Sequence, residues 1–331
     1  MNSAHASNVI EGIISGAAFV TKQGTGTLAL NGVNTYTGLT TIANGTIIVA
    51  NSSSLGASSS GTTIETGAVL DIQSATLAEP LTSTGGIISS NIDTSLSGNI
   101  ILSGNTIFRP IGSSVMTVTS VISSTTTGTL IKNGVGRLAL RGVNTYSGNT
   151  EVNSGTLSIT GTGKIFVNAN STESGTSRRI NINSGATVEF DDWAWGGSFG
   201  TAWFNNANIV INGGTLRHVG LTNTSAPRGF SVQSAGATFE TLNTGVTWTL
   251  GAGSGNDLAI IGGPITLSGA GNGVMAQAIA GAFSLTKNGA GTWSLTGVNN
   301  YTGATAINAG TLVVGGAGPV SYTHLTLPTN R

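Results

Sequence analysis

The sequence predicts an all-β fold in which short parallel strands stack coil upon coil, as in a parallel β-helix or β-solenoid. Three observations predict it. One block of sequence occurs three times without a gap, at 22–49, 132–159 and 287–314. Glycine is very frequent, with 51 of 331 residues, but lacks the every-third period of collagen. No stretch shows a convincing helical period of about 3.6 residues.

Each block predicts strands separated by tight turns. In the first block, Thr27–Leu30 alternates between faces and leads into glycine- and asparagine-rich turn chemistry over 32–38. Further short strands are predicted at Thr40–Ile42 and Thr46–Val49, on either side of an Asn44-Gly45 turn. Twelve positions are identical in all three blocks; in the first they are Lys22, Gly24, Gly26, Leu30, Gly32, Val33, Asn34, Tyr36, Gly38, Thr40, Gly45 and Thr46.

Weaker echoes of the block's ending recur along the chain. Neighbouring ones, from Gly155 to Gly236, are about 22 to 30 residues apart, a length typical of one coil in a β-solenoid. Each echo is a glycine and a small residue followed by alternating apolar residues. One coil cannot bury its apolar face alone, so coils stacked about 4.8 Å apart would pair each strand with its counterparts above and below. The echoes begin at Gly67, Gly155, Gly185, Gly214, Gly236 and Gly310.

The composition excludes several classes of partner. Charged residues make up only 7% of the chain, with 12 basic and 12 acidic side chains and a formal net charge of zero. We therefore expect no nucleic-acid partner, because no basic stripe is present. No apolar stretch is long enough for a membrane-spanning helix, so we expect no direct membrane insertion by this chain. Cysteine is absent, which excludes disulfides and thiolate metal sites.

The domain organisation predicted is one β-helix over 17–316. Residues 1–16 would form the N-terminal edge of a fragment, and 317–331 a disordered or non-native tail. Within that tail, 321–331 breaks the Gly/Asn/Thr pattern and resembles a translated adapter or cloning scar; an authentic C-terminal cap is the alternative. No signal peptide is visible in 1–19, so an export signal and anchor are not part of the sequence given.

The blocks resemble a known family. The pattern K-x-G-x-G-x-L-x-L-x-G-x-N-x-Y-x-G-x-T, followed by x-G-T-L, is similar to the autotransporter-associated β-strand repeat, also called the passenger-associated transport repeat. Trp293 replaces a leucine in the third block. An upstream Ile-x-Gly is present at Ile14 and Ile279 but is not evident before Lys132, where Ile122 precedes a Ser/Thr run.

The resemblance implies a right-handed, single-stranded parallel β-helix from a large bacterial protein. It implies a secreted or outer-membrane surface location, and a translocator barrel elsewhere in the full-length protein. In that family the repeat is linked to efficient secretion of the passenger rather than to catalysis.

The repeated Asn-x-Tyr has two interpretations. Stacked asparagines could bond neighbouring backbones while tyrosines pack over the turns, or the pairs could form a ligand-facing stripe. The structural interpretation is favoured, since residues that specify a scaffold recur with it. The residues expected to set the repeat are Gly24, Gly26, Asn34, Tyr36, Gly38, Gly134, Gly136, Asn144, Tyr146, Gly148, Gly289, Gly291, Asn299, Tyr301 and Gly303.

The segment 190–204 concentrates aromatic rings and carboxylates, a combination that suits sugar binding, and its glycines suggest an excursion from the regular coil. The alternative, which we favour, is a hydrophobic plug over an irregular coil. The candidate ligand-binding residues are Trp193, Trp195, Trp203, Asp191 and Asp192.

Catalysis is not expected, and neither is a cofactor or metal. Adjacent Asp191 and Asp192 would point opposite ways in a strand, so they do not form an acid/base pair. The only histidines are His5, His218 and His324, and we expect His218 beside Arg217 to be a solvated strand pair. No metal-ligand spacing and no nucleotide-binding glycine motif in its required context is present.

These observations predict a non-catalytic passenger or stalk segment that assists export and displays adjoining regions. The alternatives are an adhesin or glycan-binding module, with host or environmental glycans or other cell-surface proteins as partners, and, less favoured, a polysaccharide lyase or hydrolase.

Overall fold

The computed structural model is built entirely of strands and turns wherever it describes the chain, with no helix. This confirms the predicted all-β class. The described residues are 8–165, 179–192, 209–226, 230–251, 260–315 and 325–326.

The chain divides into two compact units, each of which is a stack of parallel strands. The first comprises Met1–Glu151 and Gly155–Asn168, and the second Val152–Ser154 and Ala169–Arg331.

Three parallel sheets form the first unit, and the strands below follow their order in each sheet. The first sheet contains β1 (Asn8–Ile10), β3 (Thr27–Leu30), β5 (Thr46–Val49), β7 (Val69–Ile72), β10 (Ile87–Ser90), β13 (Thr106–Pro110) and β16 (Leu130–Lys132). The second contains β2 (Val20–Lys22), β4 (Thr40–Ile42), β6 (Thr62–Ile64), β9 (Leu81–Ser83), β12 (Ile100–Leu102) and β15 (Ile122–Ser124). The third contains β8 (Thr76–Leu77), β11 (Thr94–Leu96), β14 (Val115–Val118), β17 (Arg137–Leu140) and β19 (Gly155–Ile159), while β18 (Thr150–Val152) includes residues of both units.

The second unit is also built from parallel strands in stacked order. One sheet contains β20 (Ile180–Asn183), β22 (Ile209–Asn212), β25 (Ser231–Val232) and β28 (Ile260–Ile261). Another contains β21 (Ala186–Phe190), β23 (Gly214–His218), β26 (Ala237–Thr241), β29 (Ile265–Ser268), β32 (Leu285–Lys287), β35 (Thr305–Ile307) and β37 (Leu325–Thr326). The remaining strands are β24 (Thr224–Ala226), β27 (Thr247–Leu250), β30 (Asn272–Met275), β33 (Thr292–Leu295) and β36 (Thr311–Val314) in one sheet, and β31 (Ala280–Gly281) with β34 (Asn300–Tyr301) in another.

The path of the chain is that of a β-solenoid. In the first unit it passes through β9, β10 and β11, and then through β12, β13 and β14, so each of these coils gives one strand to each sheet. Each strand pairs in parallel with its equivalent one coil later, as β9 does with β12 and β10 with β13. The predicted parallel β-solenoid is therefore confirmed.

Coil length varies along the chain. Partner residues are 19 positions apart between Leu28 and Ile47, and 24 between Phe108 and Lys132. In the second unit the offset reaches 29, between Ile180 and Ile209. The 19-residue offset inside the first block is thus shorter than the about 22 to 30 residues expected from the spacing of the echoes. A 28-residue block therefore contains one whole coil and part of the next.

Strand positions follow the sequence pattern closely. The strands β3, β4 and β5 begin and end at the predicted residues. The six echoes open β7, β19, β21, β23, β26 and β36, each beginning within two residues of its glycine. Alternation buries one face, and Leu30, Leu140 and Leu295 have no exposed surface. The core is a column of such inward side chains within each unit.

Candidate functional site

The repeated block is the most specific feature of the structure, and its lysine is buried. Lys132 and Lys287 have no exposed surface, and Lys22 is 8% exposed. The Lys22 Nζ donates hydrogen bonds to the carbonyl oxygens of Gln23 at 2.8 Å, Gly24 at 2.6 Å and Asn44 at 3.1 Å. The first two carbonyls belong to the lysine's own turn and the third lies 22 residues on, in the next coil.

The same arrangement recurs in the other blocks. Lys287 donates to Asn288 and Gly289 at 2.8 Å and to Ala309 at 3.1 Å, again 22 residues on. Lys132 donates to the carbonyls of Asn133 at 3.1 Å and Gly134 at 2.8 Å. Burial lowers the pKa of Lys132 to about 8 and also lowers that of Lys287, because removal from water disfavours the ammonium form. Charged side chains are seldom buried without partners, and here backbone carbonyls are the partners.

The repeated asparagine joins its turn to the preceding coil. Its Oδ1 accepts the backbone N–H of Ile14 at 2.8 Å in the case of Asn34. Asn144 and Asn299 accept the N–H groups of Ile122 and Ile279 at 2.9 and 3.1 Å.

This contact explains why an isoleucine of an Ile-x-Gly motif lies upstream of the first and third blocks. The isoleucine occupies the coil on which the block rests, and Ile122 fills that place before the second block although no glycine follows it. There Ser124 stands in the glycine's position, and its Oγ accepts the N–H of Ser147 at 2.9 Å.

The repeated tyrosine lies inside the coil. Tyr36 Oη is 2.6 Å from Thr40 Oγ1, and the equivalent pairs Tyr146/Thr150 and Tyr301/Thr305 are 2.6 and 2.7 Å apart. All three tyrosines and all three asparagines are buried. Their polar atoms bond within the solenoid, so the geometry leaves no outward stripe of Asn and Tyr for a ligand.

Two of the repeated glycines show why a side chain is excluded. At Gly38 a Cβ would collide with the carbonyl of Ala18 in the preceding coil, and at Gly148 and Gly303 it would meet those of Gly128 and Phe283. At Gly45, by contrast, φ is +72°, a left-handed conformation that favours glycine. The equivalent residues Gly155 and Gly310 have φ of +65° and +69°.

The leucine-to-tryptophan change in the third block has a compensating partner. Trp293 is fully buried and its Nε1 donates to the carbonyl of Ser268 at 3.1 Å. It pairs in register with Gly273, where a Cβ would meet the indole ring. Trp248 pairs with Gly273 from the other side, and the two indole centroids are 6.2 Å apart. The missing side chain at Gly273 therefore makes room for both rings.

The proposed sugar-binding residues lie at the limit of what is described. Trp193, Trp195 and Trp203 fall outside the described residues. Asp191 is half-buried and Asp192 exposed, directly after β21. The ligand-binding role of these five residues therefore stays a prediction.

An ion-pair ladder runs across three strands beside these aspartates. Glu189, Arg217 and Glu240 are register partners on β21, β23 and β26. Arg217 Nε is 2.6 Å from Glu240 Oε2, and its Nη1 is 3.1 Å from Glu189 Oε1. The bridging guanidinium occupies both carboxylates, so this ladder offers no free acid/base pair.

The expectation of a solvated Arg217–His218 pair is wrong for His218. Its side chain is fully buried, with the ring centroid 5.3 Å from Phe190 and 6.4 Å from Trp248. Its Nε2 is 3.1 Å from the carbonyl oxygen of Asp191. Burial lowers the pKa of His218, since desolvation disfavours the charged ring. Strand alternation places His218 inward whenever Arg217 points out, so the signal was present in the sequence.

Two further findings concern metal ligands and membrane-spanning helices in the described part of the chain. It contains no group of three or more His, Cys, Asp or Glu side chains that could hold a metal ion. Within the same residues, no helix has the length and apolar character needed to cross a membrane.

Fold and site together define a β-solenoid whose coils are organised around a recurring lysine- and glycine-rich block. Residues 20–49, 130–159 and 285–314 match the passenger-associated transport repeat family, and the three blocks are such repeats. These repeats, together with the relative described next, indicate a secreted or outer-membrane surface location.

The chain is similar to "Adhesin BmaC autotransporter" of Brucella suis biovar 1 (strain 1330). The two are 27% identical over 393 residues, which cover 92% of this chain and 11% of that protein. The chain thus spans about a tenth of the length of this relative. No solved structure matches the chain.

Proposed function

We propose that the chain is a non-catalytic passenger or stalk segment of an autotransporter-like protein, and that it assists export and displays adjoining regions. The observation that carries the proposal is the parallel register that continues from coil to coil within each unit. Such a stack needs no globular interior, because each new coil is templated by the last. The chain can therefore fold progressively as it emerges from a membrane.

The side chains of the coils support a scaffold rather than an enzyme. Inward side chains fill the interior, and Arg217 bridges the carboxylates of Glu189 and Glu240. The relative's name, an adhesin autotransporter, supports the passenger role and implies a translocator barrel as partner in the full-length protein.

Export of the full-length protein from its own host tests the proposal. Gly148→Val should prevent stacking on Gly128, and we expect less of this variant at the cell surface, measured by protease accessibility on intact cells. Gly26→Ala is the matched control, since nothing lies within 4 Å of the added methyl group. A Gly148→Val chain that reaches the surface in normal amounts although its solenoid is unfolded would refute the export role.

Adhesion is the second candidate function. The relative's name supports it, and so does the position of Asp191 and Asp192 just before the tryptophan-rich segment. The partners would be host or environmental glycans or other cell-surface proteins. A glycan array compares the natural chain with Trp193→Ala/Trp195→Ala and Asp191→Asn/Asp192→Asn variants. Loss of retained glycans in folded variants supports adhesion, and unchanged retention removes these residues as the binding site.

A further inference from the structure

We propose that each repeated block is a self-closing folding nucleus of the solenoid, latched by its buried lysine. The first observation is that the block pairs with itself. Its second strand pairs with its last strand in all three copies, through Thr27 with Thr46, Arg137 with Thr156 and Thr292 with Thr311. In the first and third copies the first strand also pairs with the strand before the last, as Lys22 with Ile42 and Lys287 with Ile307. One block therefore contains both partners of its own ladder.

Short sequence separation alone does not single out the blocks. Elsewhere in the first unit, Leu70 pairs with Ile88 and Ile88 with Phe108, which are equally close in sequence. Loop-closure entropy also grows only slowly with loop length. The distinguishing feature must therefore be side-chain chemistry, and the lysine supplies it.

The lysine makes the hydrogen bonding of its ammonium group depend on strand pairing. Two of its carbonyl acceptors belong to its own turn, but Asn44 and Ala309 present theirs only when the following coil lies in place. An ammonium group that is buried without partners is strongly unfavourable. Closing the coil thus gives the ammonium group its third hydrogen-bond acceptor. In an incompletely closed coil that acceptor is missing.

The tyrosine adds a hydrogen bond inside the coil, and the asparagine adds one to the preceding coil. The Tyr–Thr hydrogen bond joins the middle of the block to the start of the strand that follows the tyrosine, inside the coil. The asparagine Oδ1 then accepts a hydrogen bond from the coil before the block. The donor is the backbone N–H of Ile14, Ile122 or Ile279. A closed block therefore presents a site that recruits the preceding coil.

Pulse-labelled hydrogen exchange during refolding of the unaltered chain tests the order of events. Suitable reporters inside the blocks are the N–H groups of Ala43 and Asn308, which donate to Lys22 and Lys287. Reporters outside are those of Ser103 and Gln73, which donate to Ser83 and Val49. We expect the block amides to become protected first. Protection of Ser103 or Gln73 at the same time or earlier would overturn the proposal.

Lysine variants test the latch itself. Lys287→Met keeps the length and apolar stem but lacks the ammonium, and Lys164→Met, at a half-buried lysine outside the blocks, is the matched control. We expect Lys287→Met to slow refolding about tenfold with a smaller effect on unfolding, because an interaction formed in the transition state changes mainly the folding rate. An effect confined to faster unfolding would show that the lysine acts only after the coils have formed.

Chemical rescue separates the charge from general packing. Lys287→Ala leaves the three carbonyl oxygens without their donor. We expect n-propylammonium, which matches the missing Cγ to Nζ, to restore the refolding rate, and tetramethylammonium, which has the same charge but no N–H group, to leave it slow. Equal effects of the two ions would refute a hydrogen-bonded latch. The exchange experiment on the unaltered chain still decides the order of folding if a variant fails to fold.

Discussion

Buried ionisable groups are the feature that distinguishes individual residues in this charge-poor chain. Glu79 is 5% exposed, and the hydroxyl of Thr62 donates to its Oε1 at 3.1 Å. Burial raises the pKa of Glu79 to about 7, since one neutral hydrogen bond offsets only part of the desolvation of a carboxylate. Lys132 and Lys287 show the opposite direction, since burial lowers the pKa of each. In both kinds of group, burial therefore disfavours the charged form relative to the same group in water.

Glu79 predicts that acid stabilises the first unit. Its folded pKa lies above the ordinary value of 4.5, so folding favours proton uptake. This stabilisation is complete below about pH 4.5 and is lost as the pH rises through 7, with a difference of at most roughly 3 kcal/mol. Native-state hydrogen exchange of Thr62 and Leu81, corrected for intrinsic rates, measures it.

Glu79→Gln provides the control for that prediction. The amide keeps the size of the side chain but does not titrate, so the slope between pH 5 and pH 7.5 should flatten in this variant. Other carboxylates titrate equally in both proteins and cancel in the comparison. An identical slope in the two proteins would show that Glu79 is ionised without penalty.

The repeated glycines predict a sharp contrast between two alanine substitutions in one block. Gly38→Ala forces a methyl group against the Ala18 carbonyl, whereas Gly26→Ala meets nothing within 4 Å. We expect Gly38→Ala to destabilise the first unit by about 2 kcal/mol through overpacking. Gly26→Ala should change stability by less than about 1 kcal/mol. Urea denaturation followed by circular dichroism compares them, and equal losses would contradict the contact argument.

At the scale of elements, a strand is defined by its partners in the coils on either side. Trp293 of β33 fits because Gly273 of β30 lacks a side chain, and Trp248 of β27 uses the same gap. Position 293 holds leucine in the other two blocks, at Leu28 and Leu138. The tryptophan of the third block is therefore accommodated by a glycine at its register partner in the preceding coil.

This pairing predicts strong coupling between positions 273 and 293. Gly273→Val alone should destabilise the second unit by about 3 kcal/mol, because its side chain meets a buried indole. Adding Trp293→Leu should recover part of that loss, giving a coupling energy of at least about 1 kcal/mol in a double-mutant cycle. Thermal unfolding followed by circular dichroism provides the four stabilities. Simple additivity would mean that the two side chains do not compete for space.

The elements were largely predictable from the sequence, while the chemistry of the site was only partly so. Alternation and turn residues placed β3, β4 and β5 correctly, since a period of two and a glycine turn are local signals. The burial of Lys22 was not predictable in this way, because its third acceptor lies one coil away and charged residues usually face water. Only its recurrence in every block pointed to a role. The three tryptophans of the candidate sugar-binding segment lie outside the described residues, so its ligand-binding role stays a prediction.

Across the whole molecule, hydroxyl and amide groups take the place of surface charge. In the second unit, for example, Thr187, Thr215, Thr238, Thr266 and Thr286 form a register-aligned outward ladder on one sheet. Backbone hydrogen bonds between coils and apolar burial supply the cohesion within each unit. Neither depends on the screening of charges by salt.

The chain as a whole is therefore predicted to be insensitive to ionic strength. With 12 basic and 12 acidic groups among 331 residues, long-range charge interactions are few and nearly balanced. We expect the free energy of unfolding to change by less than about 1 kcal/mol between roughly 0.05 and 1 M KCl, where the Debye length falls to about 3 Å. Urea titrations at the two salt concentrations measure this change. Arg217→Met isolates the ion-pair ladder, and any salt dependence in the second unit should largely disappear in that variant. A loss of several kcal/mol in high salt that Arg217→Met leaves unchanged would mean that charges elsewhere hold the coils together, contrary to the cohesion by strand pairing and apolar burial inferred from the structure.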